Sequence, residues 1–180
     1  SPQILILFIV SFSIAQDYGN SYESLDIILQ NYVDSTGMVN YNGIRENPYR
    51  FDEYFRFIED ISPKSHPSYF KTKDDEMAYW INAYNAITVK IMLANPGVSS
   101  ILDMSSFLIF KKKFKVGGER ISLNKIEHKI LRKEFDDPRI HFAINCASIS
   151  CPPLGNRIFL GETLDSQLHE KTSSFISDRA

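Results

Sequence analysis

Both cysteines of this chain, Cys146 and Cys151, lie in one segment, His141-Phe-Ala-Ile-Asn145-Cys146-Ala-Ser-Ile-Ser150-Cys151-Pro152-Pro153. Two thiols with four residues between them leave three chemistries open. They can close a local Cys146–Cys151 disulfide. Cys146 alone can serve as a nucleophile at the end of a buried strand. Or the pair can join His128 or His141 around zinc, for which no second Cys pair and no His-x-x-x-His spacing speaks. No metal site and no cofactor is therefore expected. His169-Glu170 begins like a metalloprotease helix but lacks the second histidine. Neither a Gly-rich phosphate loop nor a Gly-x-Ser-x-Gly elbow occurs.

A thiol nucleophile needs a base, and geometry chooses between the histidines. In an extended strand, His141 and Cys146 stand roughly 16 Å apart at about 3.3 Å per residue. A helix over 125–135 is also about 16 Å long. A strand from Ile140 that returns antiparallel along it would bring Cys146 back beside His128. On this reading Cys146 is the nucleophile and His128, or else His141, the base. Glu76 or Glu127 orients the base, and the amides of Asn82 and Asn85 hold substrate or an oxyanion. Trp80 would complete the binding surface. The competing reading is that helix amides three apart tie down neighbouring loops, because an unpaired buried amide costs roughly 1–3 kcal/mol.

The elements that must position these groups are legible in outline. Leu25, Ile28, Leu29, Tyr32 and Val33 recur at helical spacing over 22–35, with Gly37 beyond. A short strand is expected over Met38–Tyr41. Asn47-Pro48 opens a second helix carrying Phe51, Tyr54, Phe55 and Ile58. Thr72 with Asp75 starts a third, which runs without Gly or Pro to Asn95-Pro96-Gly97 and is apolar nearly all round, as a helix through the middle of a fold must be. Alternation on both sides of Gly117-Gly118 marks a hairpin. Asn124 and Glu127 are expected to cap a helix over 125–135, and Ile140–Asn145 to form a buried strand. Leu164, Leu168 and Phe175 share a helical stripe near the C-terminus. The class is a compact single α+β domain, with a central buried helix, helices leading, and a small, mostly antiparallel sheet following.

Composition narrows the partners. Across 180 residues, 43% are hydrophobic and 23% charged, enough for one sizeable core. Twenty Lys and Arg against 22 Asp and Glu leave a net charge of −2, so no nucleic-acid partner is expected. The first apolar run, Ile4 to Ala15, is too short for a transmembrane helix, which needs about 20 residues. Ser13-Ile14-Ala15 offers small residues to a signal peptidase, and polar Gln16-Asp17 comes at once after them. Residues 1–15 thus read as part of a secretory signal and 16–180 as the mature domain. Such a protein is secreted or periplasmic, with no stable membrane insertion after cleavage, in a compartment where thiols pair.

Three motifs carry a resemblance: Glu76-Met-Ala-Tyr-Trp80-Ile-Asn82-Ala-Tyr84-Asn85-Ala, then Leu123-Asn-Lys-Ile-Glu127-His128-Lys-Ile-Leu131-Arg132, then the cysteine segment from His141 to Pro152. In this order they resemble the bacterial and plant family called domain of unknown function 547, over roughly residues 60–178. The resemblance implies a compact α+β domain of an exported bacterial member, and no reaction. Family members usually continue into an aromatic C-terminal segment, so this chain is expected to be truncated. Papain-like or transglutaminase-like hydrolases, a more distant likeness, open their central helix with the nucleophilic cysteine. Here Glu76, Met77 and Ala78 stand in that place. Two functions are compatible with these residues: a non-catalytic binding or envelope module for a small-molecule or peptide ligand, clamped by Cys146–Cys151, or a thiol-dependent hydrolase or acyltransferase.

Overall fold

The computed structural model describes residues 19–148 and 151–177. The expected secretory segment, 1–15, lies outside the described residues. The first helix, α1, covers 19–32. It is followed by α2 (Tyr41–Glu46), α3 (Tyr49–Asp60) and α4 (Lys73–Leu93). The one short contact where a strand was expected near Met38 is an isolated antiparallel bridge between Val33 and Val39.

Helix α4 is the axis of the fold, and its sequence explains why. Thr72 and Asp75 form the expected capping box. Every residue from Met77 to Val89 is then buried. A helix with no polar face can be stable only where other elements cover it on all sides. At its far end Arg45 of α2 caps the last turn, donating to the carbonyls of Leu93 and Met92, each at 3.1 Å.

Beyond a short α5 (Ser106–Lys111) come strands β1 (Lys113–Val116) and β2 (Glu119–Ser122). They pair antiparallel around Gly117-Gly118, with Phe114 opposite Ile121. Both turn glycines have positive φ, 57° and 81°, the geometry that a two-residue hairpin turn demands. The hairpin packs on α3.

Two expectations for the chain beyond the hairpin need correction. Ser122, not Asn124, caps the next helix by accepting from Lys125 N, and this helix, α6, covers 123–134 with a π-helical stretch at Ile126–Leu131. The wider turn keeps Ile126, Ile130 and Leu131 all in the core. The segment expected as a strand over 140–145 is instead a one-turn helix, α7 (Ile140–Ala143). Asp137 initiates it, with its side chain accepting from Arg139 N at 2.9 Å and its carbonyl from Ile140 N at 3.2 Å. Ile140 and Ala143, three apart, take the buried positions. A short apolar run fits either period, and here the turn chemistry before it decided. Helix α8 (Leu164–Ser177) is the last helix among the described residues and packs against α7.

Candidate functional site

The site begins with the two buried asparagines of α4. Asn82 Nδ2 donates to the Phe159 carbonyl at 2.8 Å, and Phe159 N donates back to Asn82 Oδ1 at 3.0 Å. Asn85 does the same for a second loop: Nδ2 donates to the Ala143 carbonyl at 3.0 Å, and Asn145 N donates to Oδ1 at 2.8 Å. Each amide thus replaces a missing strand neighbour. Bare loop backbone can then lie against an apolar helix without orphaned groups.

From Asn85 the hold passes to the cysteine segment. Asn145 Nδ2 donates to the Pro152 carbonyl at 2.7 Å, and its Oδ1 accepts from Ala147 N at 2.8 Å. Ala147 is held at a φ of 53°, a left-handed conformation unusual for a residue with a Cβ. Ile101 N donates to its carbonyl at 3.1 Å. Cys146 and Cys151 are joined as a disulfide, with Cα atoms 6.1 Å apart. The next residues lean on the loop after α1: Gly37, at a φ of 81°, lets Pro153 approach so closely that a Cβ there would meet Pro153 Cβ at 2.5 Å.

The other sequence candidates are dispersed around this centre. Glu76 and Asn85 are nine residues apart on α4, which at about 3.6 residues per turn puts them on opposite sides. Glu76 pairs with Lys73 at 2.7 Å and, with Trp80, lines a cleft of about 360 Å³ between the hairpin and α6. Glu127 accepts from the Tyr84 hydroxyl at 3.3 Å and from Arg132 at 2.6 Å, a link between α6 and α4. Burial, then the adjacent Glu127 carboxylate, push the Tyr84 phenol well above its usual range. His128 and His141 are both exposed, and the His141 ring meets the edge of Phe142 at 5.3 Å. The antiparallel return that was to bring His128 to Cys146 required a strand where α7 stands. Among the described residues, no three His, Cys, Asp or Glu side chains are grouped to hold a metal ion, and no helix is long and apolar enough to cross a membrane.

Beside the disulfide loop lies a cleft of about 400 Å³, walled by Pro152 to Arg157 on one side and by α7 and α8 on the other. Lys171 of α8 reaches into it and donates to the Pro153 carbonyl at 3.2 Å. Burial holds its ammonium below the ordinary lysine value. Phe142 and Phe175 pack there with ring centres 5.2 Å apart. Sequence reasoning missed Lys171, although a signal was present. Leu164, Leu168, Lys171 and Phe175 recur at spacings of four, three and four, so the lysine occupies a position in the apolar stripe.

A family model described as "Protein of unknown function, DUF547" matches residues 68–176, more than half of the chain. No curated protein and no solved structure matches it.

Proposed function

The chain belongs to the DUF547 family of proteins of unknown function, and from that premise we propose that it is an exported, non-catalytic binding module. Its Cys146–Cys151 disulfide serves to shape one wall of a binding cleft. The observation that carries this reading is the consumption of both sulfurs. Cys146 is bonded to Cys151 in a loop whose backbone is tied to α4 through Asn145 and Asn85. A thiolate is the attacking species in cysteine catalysis, and none is left here. The Asn82 and Asn85 amides, candidates for holding substrate or an oxyanion, are already engaged with Phe159, Ala143 and Asn145.

Export accords with the same chemistry. A cysteine pair that closes a disulfide is at home in a secreted or periplasmic protein. The apolar run Ile4 to Ala15 reads as the signal that would send it there, with the mature chain starting near Gln16. The bound partner is a small molecule or a peptide, held in the cleft between the clamp and α8.

Intact mass of the exported protein with iodoacetamide tests the reading. The native protein should take no label, and both cysteines should take it only after reduction. Native labelling of Cys146 ahead of Cys151, slowed by His128→Ala, would instead establish the thiol hydrolase or acyltransferase.

A further inference from the structure

We propose that the cleft beside the clamp binds a small anion attached to an apolar or aromatic body, with the Lys171 ammonium as the charge anchor and Phe142 and Phe175 as the apolar floor. This rests on the binding-module reading and names the ligand class for it.

The first support is the incomplete satisfaction of Lys171. An ammonium has three donors. Among the described residues, only the one to the Pro153 carbonyl is used, at 3.2 Å. No carboxylate among the described residues comes within ion-pair distance of it. The charged groups facing the cleft are Arg157, Asp34 and Glu170. Asp34 is turned to its own loop, accepting from Thr36 N at 2.8 Å, Thr36 Oγ1 at 2.7 Å and Met38 N at 3.0 Å. Arg157 donates to Asp26 at 3.0 Å, which leaves further guanidinium donors at the rim. Glu170 neighbours Lys171 on α8, and its attraction does not offset the loss of water around the ammonium. A half-buried cation paired only with a neutral carbonyl is stabilised by any anion that reaches it.

The second support is shape. The cleft, about 400 Å³, falls within the range that holds small organic molecules. Gly155 borders the amine, and a Cβ there would stand 3.1 Å from Lys171 Cε and 3.2 Å from Nζ. Glycine therefore leaves the space beside the charge unfilled. The tilted Phe142–Phe175 pair offers ring surface within the same cleft. A carboxylate and a phosphate monoester share the chemistry required, and probes can separate them.

The experiment is a nuclear magnetic resonance titration of the full, oxidised chain with benzoate, phenyl phosphate, benzyl alcohol and benzylamine. Benzoate or phenyl phosphate should shift Gly155, Phe142 and Phe175 saturably, and the better of the two identifies the anion. The alcohol should bind at least tenfold more weakly and the amine not at all. Lys171→Met should weaken the anion at least tenfold, and Lys171→Arg should retain most of it. Equal affinity for benzoate, phenyl phosphate and benzyl alcohol, or no saturable shift at the cleft, would overturn the proposal, and both outcomes are read on the unmutated protein. Failure here with an intact, unreactive disulfide defeats the ligand class alone. A reactive Cys146 with benzoate seated in the cleft defeats the non-catalytic reading alone.

Discussion

Asn82 and Gln167 hold the extended backbone of residues 158–160 from opposite sides. Asn82 of α4 takes both N–H and C=O of Phe159, at 3.0 and 2.8 Å. Gln167 of α8 accepts from Leu160 N at 3.0 Å and donates to the Ile158 carbonyl at 2.7 Å. Backbone groups of an extended chain alternate sides with a period of two. One amide on each side therefore satisfies the segment as two neighbouring strands would. Asp26 of α1 adds a third hold, accepting from Ile158 N at 3.0 Å.

This arrangement predicts coupling. Asn82→Leu should destabilise the fold by roughly 2–4 kcal/mol, since it strands two buried backbone groups of Phe159. Gln167→Leu should cost roughly 1–2 kcal/mol, because water can reach its half-buried side. In urea denaturation the double variant should depart from the sum by at least about 0.5 kcal/mol, as expected of groups sharing one segment. Strict additivity would mean that the two amides act independently.

The clamp should contribute modestly to stability. Its cysteines are five positions apart, and a loop that short gives roughly 2 kcal/mol on the chain-entropy estimate. Cys146→Ser with Cys151→Ser should lower the urea midpoint accordingly, without abolishing folding. A larger effect on the resonances of Pro152 to Arg157 than on those of α3 would place the change at the cleft wall.

Lys171 carries a pH signature whose sign is opposite to that of an ion-paired lysine. Burial lowers its folded pKa below the ordinary 10.5. Between those two values the unfolded chain binds more protons, so stability rises with pH across that window. Below it, the burial penalty on the charged form is present in full. Wild type minus Lys171→Met stability, measured by denaturation from neutral to alkaline pH, should therefore increase toward high pH. A difference that falls with pH would show that the ammonium is paired.

Two glycines with the same φ separate strain from close contact. Gly118 has a φ of 81° and nothing within 4 Å of its absent Cβ, whereas Gly37, also at 81°, faces Pro153 at 2.5 Å. Gly118→Ala should cost about 1–2 kcal/mol, the penalty of a left-handed backbone. Gly37→Ala should cost that and at least about 1 kcal/mol more, for displacing Pro153. Equal losses in thermal denaturation would mean that the clamp loop moves aside freely.

Periodicity over many residues was the most legible part of the sequence. The all-round apolarity from Met77 to Val89 specifies a covered central helix wherever its partners sit, because only complete burial makes such a surface stable. The Thr72–Asp75 cap and the Gly117-Gly118 hairpin are equally local, since a few neighbouring side chains and dihedral angles settle them. Ile140–Asn145 was ambiguous for the converse reason. Six apolar-rich residues fit either period, and the Asp137 turn made its first part a helix.

Chemistry-bearing types were visible in the sequence too: the cysteine pair, the α4 amides, the histidines. The reading that put Glu76 and Asn85 in one site overlooked that nine positions along one helix place them on opposite sides. What the sequence left open was which loop each amide would hold and which cation would stand beside the clamp. Asn82 meets Phe159, 77 positions away, and Lys171 meets Pro153, 18 positions away. Those contacts arise only when α1, α4 and α8 converge on the irregular segments 144–148 and 151–160. Backbone groups in irregular segments have no local partners, so only packing decides which distant side chains satisfy them.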